Sequence, residues 1–127
     1  MKKLFGLMAI AIVAFAFSAC GSKNDTPEAA VDGYLKCMQK MDFDGLKDVV
    51  YFESEQEQEQ MIQAFKEKAK DEEFRKYMQI DSYEIGEVDM AEDGQSAKVK
   101  YEVVQNGKKD SGKQKVILKD GKWYVKL

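Results

Sequence analysis

The chain has 127 residues, 34% of them charged and 44% hydrophobic; once an N-terminal leader is set aside, about a hundred remain to fold, enough for one core and too few for a second domain. That remainder carries 18 basic against 23 acidic residues, a poor balance for nucleic acid. There is no histidine, so the commonest general base and the commonest metal ligand are missing; no catalytic set, no metal site and no cofactor is expected.

In chain order, Met1-Lys2-Lys3 is a short positive segment, and Leu4 to Phe17 is an uncharged apolar run ending in the small pair Ser18-Ala19. The run falls short of the ~20 residues that span a bilayer, and the layout is that of a secretory signal peptide over residues 1–19; an uncleaved anchor is the other reading. Small residues placed directly before Cys20 resemble a bacterial lipobox, with Phe17 where such boxes usually carry leucine. The resemblance implies that the leader is cut before Cys20 and that Cys20 receives a diacylglyceryl thioether and further acylation. Two or three chains, at ~0.8 kcal/mol per buried methylene, anchor a protein stably. Gly21 rather than aspartate follows the cysteine, which by analogy with Gram-negative sorting implies the outer membrane of the cell envelope, on a side that the sequence leaves open. With Cys20 lipidated, the chain's other cysteine, Cys37, reads either as a small core residue or as a thiol for intermolecular pairing.

Residues 20–25 read as the lipidated cysteine and a polar, flexible tether reaching only ~20 Å, and residues 26–127 as one domain. Thr26-Pro27-Glu28 is a helix start: a capping hydroxyl, a proline in the first turn and an acid at the positive end of the dipole. Ala30, Val31, Tyr34, Leu35, Cys37, Met38 and Met41 then recur at helical spacing on one face. Asp42 is placed to cap a short second helix carrying Phe43, Leu46, Val49 and Val50. The acid and amide run Glu53 to Gln60 has no calcium-loop pattern; Ser54 and Glu57 instead form a capping box for a helix whose apolar face is Met61, Ile62, Phe65 and Ala69. Phe74, Tyr77 and Met78 fall out of phase with that stripe, so a break is predicted near Lys70 to Glu73.

From Ile80 the period changes to two. Asp93-Gly94, Asn106-Gly107 and Asp120-Gly121 each read as a two-residue hairpin turn, giving four strands. Ala97, Val99, Tyr101 and Val103, then Val116 and Leu118, then Trp123, Val125 and Leu127 mark one apolar face, and a parity change around Gly86 predicts a bulge in the first strand. The fold class is α+β, with N-terminal helices covering a four-stranded antiparallel meander.

This order resembles the cystatin-like architecture in its nuclear-transport-factor-2-like form, a helix wrapped by a curved sheet into a cone. The segments Thr26-Pro27-Glu28-Ala29-Ala30-Val31, Met41-Asp42-Phe43-Asp44-Gly45-Leu46 and Leu118-Lys119-Asp120-Gly121-Lys122-Trp123-Tyr124-Val125 resemble those of a family of bacterial lipoproteins once labelled lumazine-binding and now of unknown function. That resemblance implies fold and compartment and no established activity.

Two sets of residues are singled out. Tyr34, Tyr83, Tyr101 and Trp123 are inward residues with polar handles, which line a ligand pocket if the cone is open and are plain core if it is filled. Glu87 is the nearest carboxylate for proton transfer inside such a cone, with its side of the sheet left undecided by Gly86. The charge is polarised: residues 98–127 hold nine basic against three acidic residues, and residues 21–97 nine against twenty. Lys98, Lys100, Lys115, Lys119, Lys122 and Lys126 share the outward parity of their strands around Tyr124. They form a docking face for an anionic lipid, glycan or protein partner, or else a solvated face that discourages edge pairing. The reading that follows is a lipid-anchored envelope module that binds a partner or ligand without catalysis, the alternative being a small-molecule pocket protein or weak enzyme.

Overall fold

A computed structural model describes residues 24–127. The expected signal peptide, Cys20 and residues 21–23 lie outside the described residues.

The first helix, α1, spans Pro27–Lys40. Thr26 caps it as its sequence requires, the hydroxyl accepting from the Ala29 N–H at 3.0 Å. Met41 ends it in the left-handed conformation, φ 56°. A 3-10 turn, Phe43–Gly45, and a one-turn helix α2, Leu46–Val49, follow, and the Asp42 carboxylate accepts from the Gly45 N–H at 3.3 Å. Helix α3, Glu55–Lys68, starts at Ser54, whose hydroxyl accepts from the Glu57 N–H at 3.1 Å. The predicted break falls at residues 69–71, where Asp71 caps a separate α4, Glu72–Met78.

Four strands, β1 (Ile80–Met90), β2 (Ser96–Gln105), β3 (Lys108–Lys119) and β4 (Lys122–Val125), form an antiparallel sheet in the order β1-β2-β3-β4. Asn106-Gly107 and Asp120-Gly121 are left-handed at both positions, as a tight type I′ hairpin demands. Asp93-Gly94 differs from its predicted two-residue turn. Only Gly94 is left-handed, and the connection runs from Ala91 to Gln95, because the Asp93 carboxylate accepts from the Gln95 N–H at 2.9 Å and builds a wider loop. The bulge is where parity placed it: Ile85 faces Tyr101 and Val88 faces Val99, so Gly86 and Glu87 together oppose Lys100.

The core lies between α1 and the sheet. Ala30, Val31, Leu35 and Met38 of α1 meet Val99, Val103, Val116, Trp123 and Val125. Leu46, Val49 and Val50 close one end, joined by Phe43, whose ring stacks on Phe65 at 5.2 Å. Helix α3 buries only Ile62, and α4 buries nothing and leaves Tyr77 69% exposed, so α1 and α2 do most of the covering. Leu127, predicted inward with Trp123 and Val125, is 52% exposed: β4 ends at Val125 and the alternation ends with it.

Asn24, assigned by sequence to the flexible tether, is buried. Its side-chain Nδ2 donates to the Asp48 and Trp123 carbonyls at 2.8 and 2.6 Å, and its own carbonyl accepts from the Trp123 N–H at 2.8 Å. The free edge of β4 is thus covered at Trp123 by Asn24 and at Val125 by Val50 and Tyr51, with Tyr51 N–H donating to Val125 O at 2.8 Å.

Candidate functional site

The period-two pattern of β2 sends Ala97, Val99 and Val103 into the core and leaves Tyr101 half-buried beside it. Tyr101 faces Gly112 across the strands, and its ring lies over that glycine: a Cβ there would stand 2.8 Å from the Tyr101 hydroxyl. Tyr34 on α1 and Tyr83 on β1 pack against the core, half-buried, and Trp123 is buried in it. The Tyr83 hydroxyl donates to the Asp32 carboxylate at 2.9 Å. Burial first, then that hydrogen bond to an anion, holds the Tyr83 phenol far above its ordinary value. Burial likewise raises the Tyr34 phenol, with Tyr101 adding to the effect. These tyrosines therefore stay neutral and act as hydrogen-bonding, apolar walls. Cys37 is half-buried on α1, packed against the core and above Gly45.

A cleft of about 460 Å³ opens over β1, β2 and β3. Of the four aromatic residues singled out by sequence, Tyr101 lines it; Tyr34, Tyr83 and Trp123 do not. Its other walls are charged, chiefly Glu84, Glu87, Lys100, Glu102 and Lys113, with Gly86 and Gly112 leaving the space. Glu87 is exposed and paired to Lys100 at 3.3 Å.

Across the outer side of the sheet, Lys98 lies opposite Lys115, Lys100 opposite Lys113, and Lys119 opposite Lys122. Lys98, Lys100, Lys115, Lys119 and Lys122 are exposed, and Lys126 is half-buried. Tyr124 faces Ile117, both half-buried. The Tyr51 ring is flanked by two ammonium groups, Lys119 Nζ at 5.3 Å and Lys126 Nζ at 5.1 Å from its centre, a double cation–π arrangement. Two members of this face escape the sequence reading. Lys113 has the parity of Lys115 and was legible in principle; Tyr51 has no local signal, since a chain contact with β4 puts it there.

Among the described residues, no cluster of acids and cysteine has the arrangement of a metal site, and no helix is long and apolar enough to cross a membrane. No protein-family model matches the chain, and no curated protein matches it in sequence. A solved structure from Campylobacter jejuni, of a protein called by inference an NTF2-like transpeptidase, is similar over 80% of this chain and 98% of its own, with 22% identity and a TM-score of 0.59. At that identity the likeness is one of fold. The order of helices and strands, the meander topology and this likeness together give the chain a nuclear-transport-factor-2-like α+β fold.

Proposed function

We propose that the protein is a lipid-anchored lipoprotein of the bacterial cell envelope that works by binding close to a membrane surface, as its resemblance to the lipoprotein family of unknown function implies. The observation that carries the reading is the run of apolar residues ending in Ser18-Ala19-Cys20 a few residues before the fold begins. Asn24 is already fastened to β4, so Cys20 stands four Cα steps, at most ~14 Å of extended chain, from the sheet edge. Acyl chains on that sulfur would hold the whole domain against the lipid, on the outer membrane if Gly21 sorts it there. Native protein is expected in the membrane fraction after alkaline wash, with a mass that starts at an acylated Cys20, and Cys20→Ser abolishes both acylation and cleavage. An unmodified thiol, or residues 1–19 still attached in the native protein, overturns the reading.

A second reading, a small-molecule pocket protein or weak enzyme, is favoured by the cleft beside Tyr101, whose volume falls in the ~300–1,000 Å³ range of ligand sites. Carrying over a transpeptidase role from the Campylobacter jejuni protein would need an activated nucleophile. Here Cys37 is half-buried and there is no histidine to act as its base. Crystals soaked with mixtures of small polar compounds test this reading: ordered density beside Tyr101 supports it, and a cleft that stays empty in every soak counts against it.

A further inference from the structure

The outer face of the sheet carries repulsion that the fold does not need. Three cross-strand neighbours, Lys98 with Lys115, Lys100 with Lys113 and Lys119 with Lys122, are like-charged pairs, which destabilise a sheet; on its β1 side Lys98 lies opposite Asp89, so the repulsion is concentrated toward β3 and β4. Among the described residues, Lys100 alone of these six has a salt bridge, to Glu87. Protection of a sheet edge does not account for them, because β2 and β3 are interior strands and the β4 edge is already covered by Asn24, Val50 and Tyr51. At the centre of the lysines sit three half-buried apolar or aromatic side chains, Tyr51, Ile117 and Tyr124. Tyrosine among lysines is the composition that settles at the boundary between water and lipid. The proposed anchor leads to the edge of this face: Asn24 is bonded to the backbone of Trp123, whose side chain is in the core, and the neighbours of Trp123 on β4, Lys122 and Tyr124, have the outward parity.

We infer that this face, Lys98, Lys100, Lys113, Lys115, Lys119, Lys122 and Lys126 around Tyr51, Ile117 and Tyr124, lies on the membrane and binds anionic phospholipid headgroups. The inference deepens the lipid-anchored reading: the acyl chains set the distance, and the lysines set which side of the domain faces the bilayer. The helical side, with α3 and α4, then faces away, and Glu84, Glu87 and Asp89 lie at the β1 margin of the membrane-facing side. Net charge cannot produce this binding, since residues 24–127 hold seventeen basic against twenty-three acidic residues and are repelled as a body by an anionic surface. Attraction has to come from the polarised face. A planar layer of phosphates suits it better than one small anion, because rows of lysines on β2, β3 and β4 are spread at ~4.8 Å strand spacing rather than converging on a point.

The test uses residues 24–127 without Cys20. This part contains the whole core, from Ala30 to Val125, and the Campylobacter jejuni structure shows that the fold exists as a chain little longer than the matched part. Its co-sedimentation with vesicles of equimolar phosphatidylglycerol and phosphatidylcholine is compared with vesicles of phosphatidylcholine alone. Association is expected with the first only and is lost as salt is raised. A lysine near an anionic surface raises partitioning about fivefold, so Lys98→Ala, Lys115→Ala and Lys126→Ala together should lower it on the order of 100-fold. The same number of alanines at Lys68, Lys70 and Lys76 on and beside α3 and α4 should leave it within about twofold. Removing the Lys98–Lys115 repulsion should leave the melting temperature unchanged or higher. If the face triple fails to fold, the salt series on the unaltered domain decides alone. No association of the unaltered domain with phosphatidylglycerol vesicles, equal association with phosphatidylcholine, or equal loss in the two triples overturns the inference; so does binding to a soluble polyanion such as heparin without binding to vesicles. Because Cys20 is absent from the probe, failure here leaves the anchor standing, and an unmodified Cys20 in native protein leaves this result standing.

Discussion

Asn24 occupies both backbone hydrogen-bonding groups of Trp123: the Trp123 N–H donates to Asn24 O at 2.8 Å, and Asn24 Nδ2 donates to Trp123 O at 2.6 Å. One residue of the segment expected to be a tether thus acts as an extra rung on β4, and its second side-chain bond, to Asp48 O, fastens the same point to α2. Asn24 itself is therefore fixed to the sheet edge that carries Lys122 and Tyr124.

Asn24→Ala should cost about 1–3 kcal/mol, since it leaves the buried Trp123 carbonyl and the partly buried Asp48 carbonyl without this donor. For a domain of this size that is a fall in melting temperature of about 4–8 °C per kcal/mol. Asn24→Asp should cost more, because a carboxylate then faces two carbonyl oxygens. Denaturant unfolding of the two variants checks the order; an alanine variant as stable as the parent would mean that the clasp is not closed in solution.

The close approach of Tyr101 to Gly112 gives a second test. Gly112→Ala forces the Tyr101 ring off its seat, because the new Cβ would lie 2.8 Å from the hydroxyl and 3.1 Å from the ring carbon that bears it. A destabilisation of about 1–3 kcal/mol is expected. Combined with Tyr101→Val, which removes the obstructing ring, the alanine should cost much less than it does alone, a coupling of about 1 kcal/mol or more. Strict additivity in the double-mutant cycle would show that the ring does not rest on the glycine.

Glu28 supplies a pH dependence. Its carboxyl is half-buried, its Oε1 is buried with no hydrogen-bond partner among the described residues, and burial raises it above its ordinary value of 4.5. A carboxyl raised in the folded state binds its proton more tightly there than in the unfolded chain, so this residue favours folding in acid. The penalty is absent below the unfolded value, develops as the pH rises through the folded value, and is complete above it. Glu28→Gln should therefore be at least as stable as the parent near pH ~7, with the advantage shrinking toward pH ~4. Urea midpoints across that range check the sign; an advantage that grows in acid contradicts it.

Much of the architecture is written locally. Thr26, Ser54 and Asp42 start their helices because a side-chain oxygen meets an N–H three residues on, an interaction the chain makes with itself. Asn106-Gly107 and Asp120-Gly121 fix tight hairpins because few other residues tolerate positive φ at both places. Alternation along β2 then chooses the buried face, and the parity change at Gly86 marks the bulge.

The remainder depends on contacts between segments far apart in sequence, and these no local pattern encodes. Asn24 reads as tether until Trp123 and Asp48 offer it partners, and Tyr51 reads as a loop residue until Val125 fixes its backbone and Lys119 and Lys126 close on its ring. Glu87 could have pointed either way until the bulge turned it toward Lys100 in solvent. By itself the sequence determined the order of elements, the turns and which side of each strand is apolar, because those follow from the backbone's own sterics and periodicity. Tertiary structure alone decided that the lysines of β2, β3 and β4 lie side by side in like-charged pairs beside the point where the chain joins the sheet, because register and edge pairing are set only when the strands and Asn24 meet.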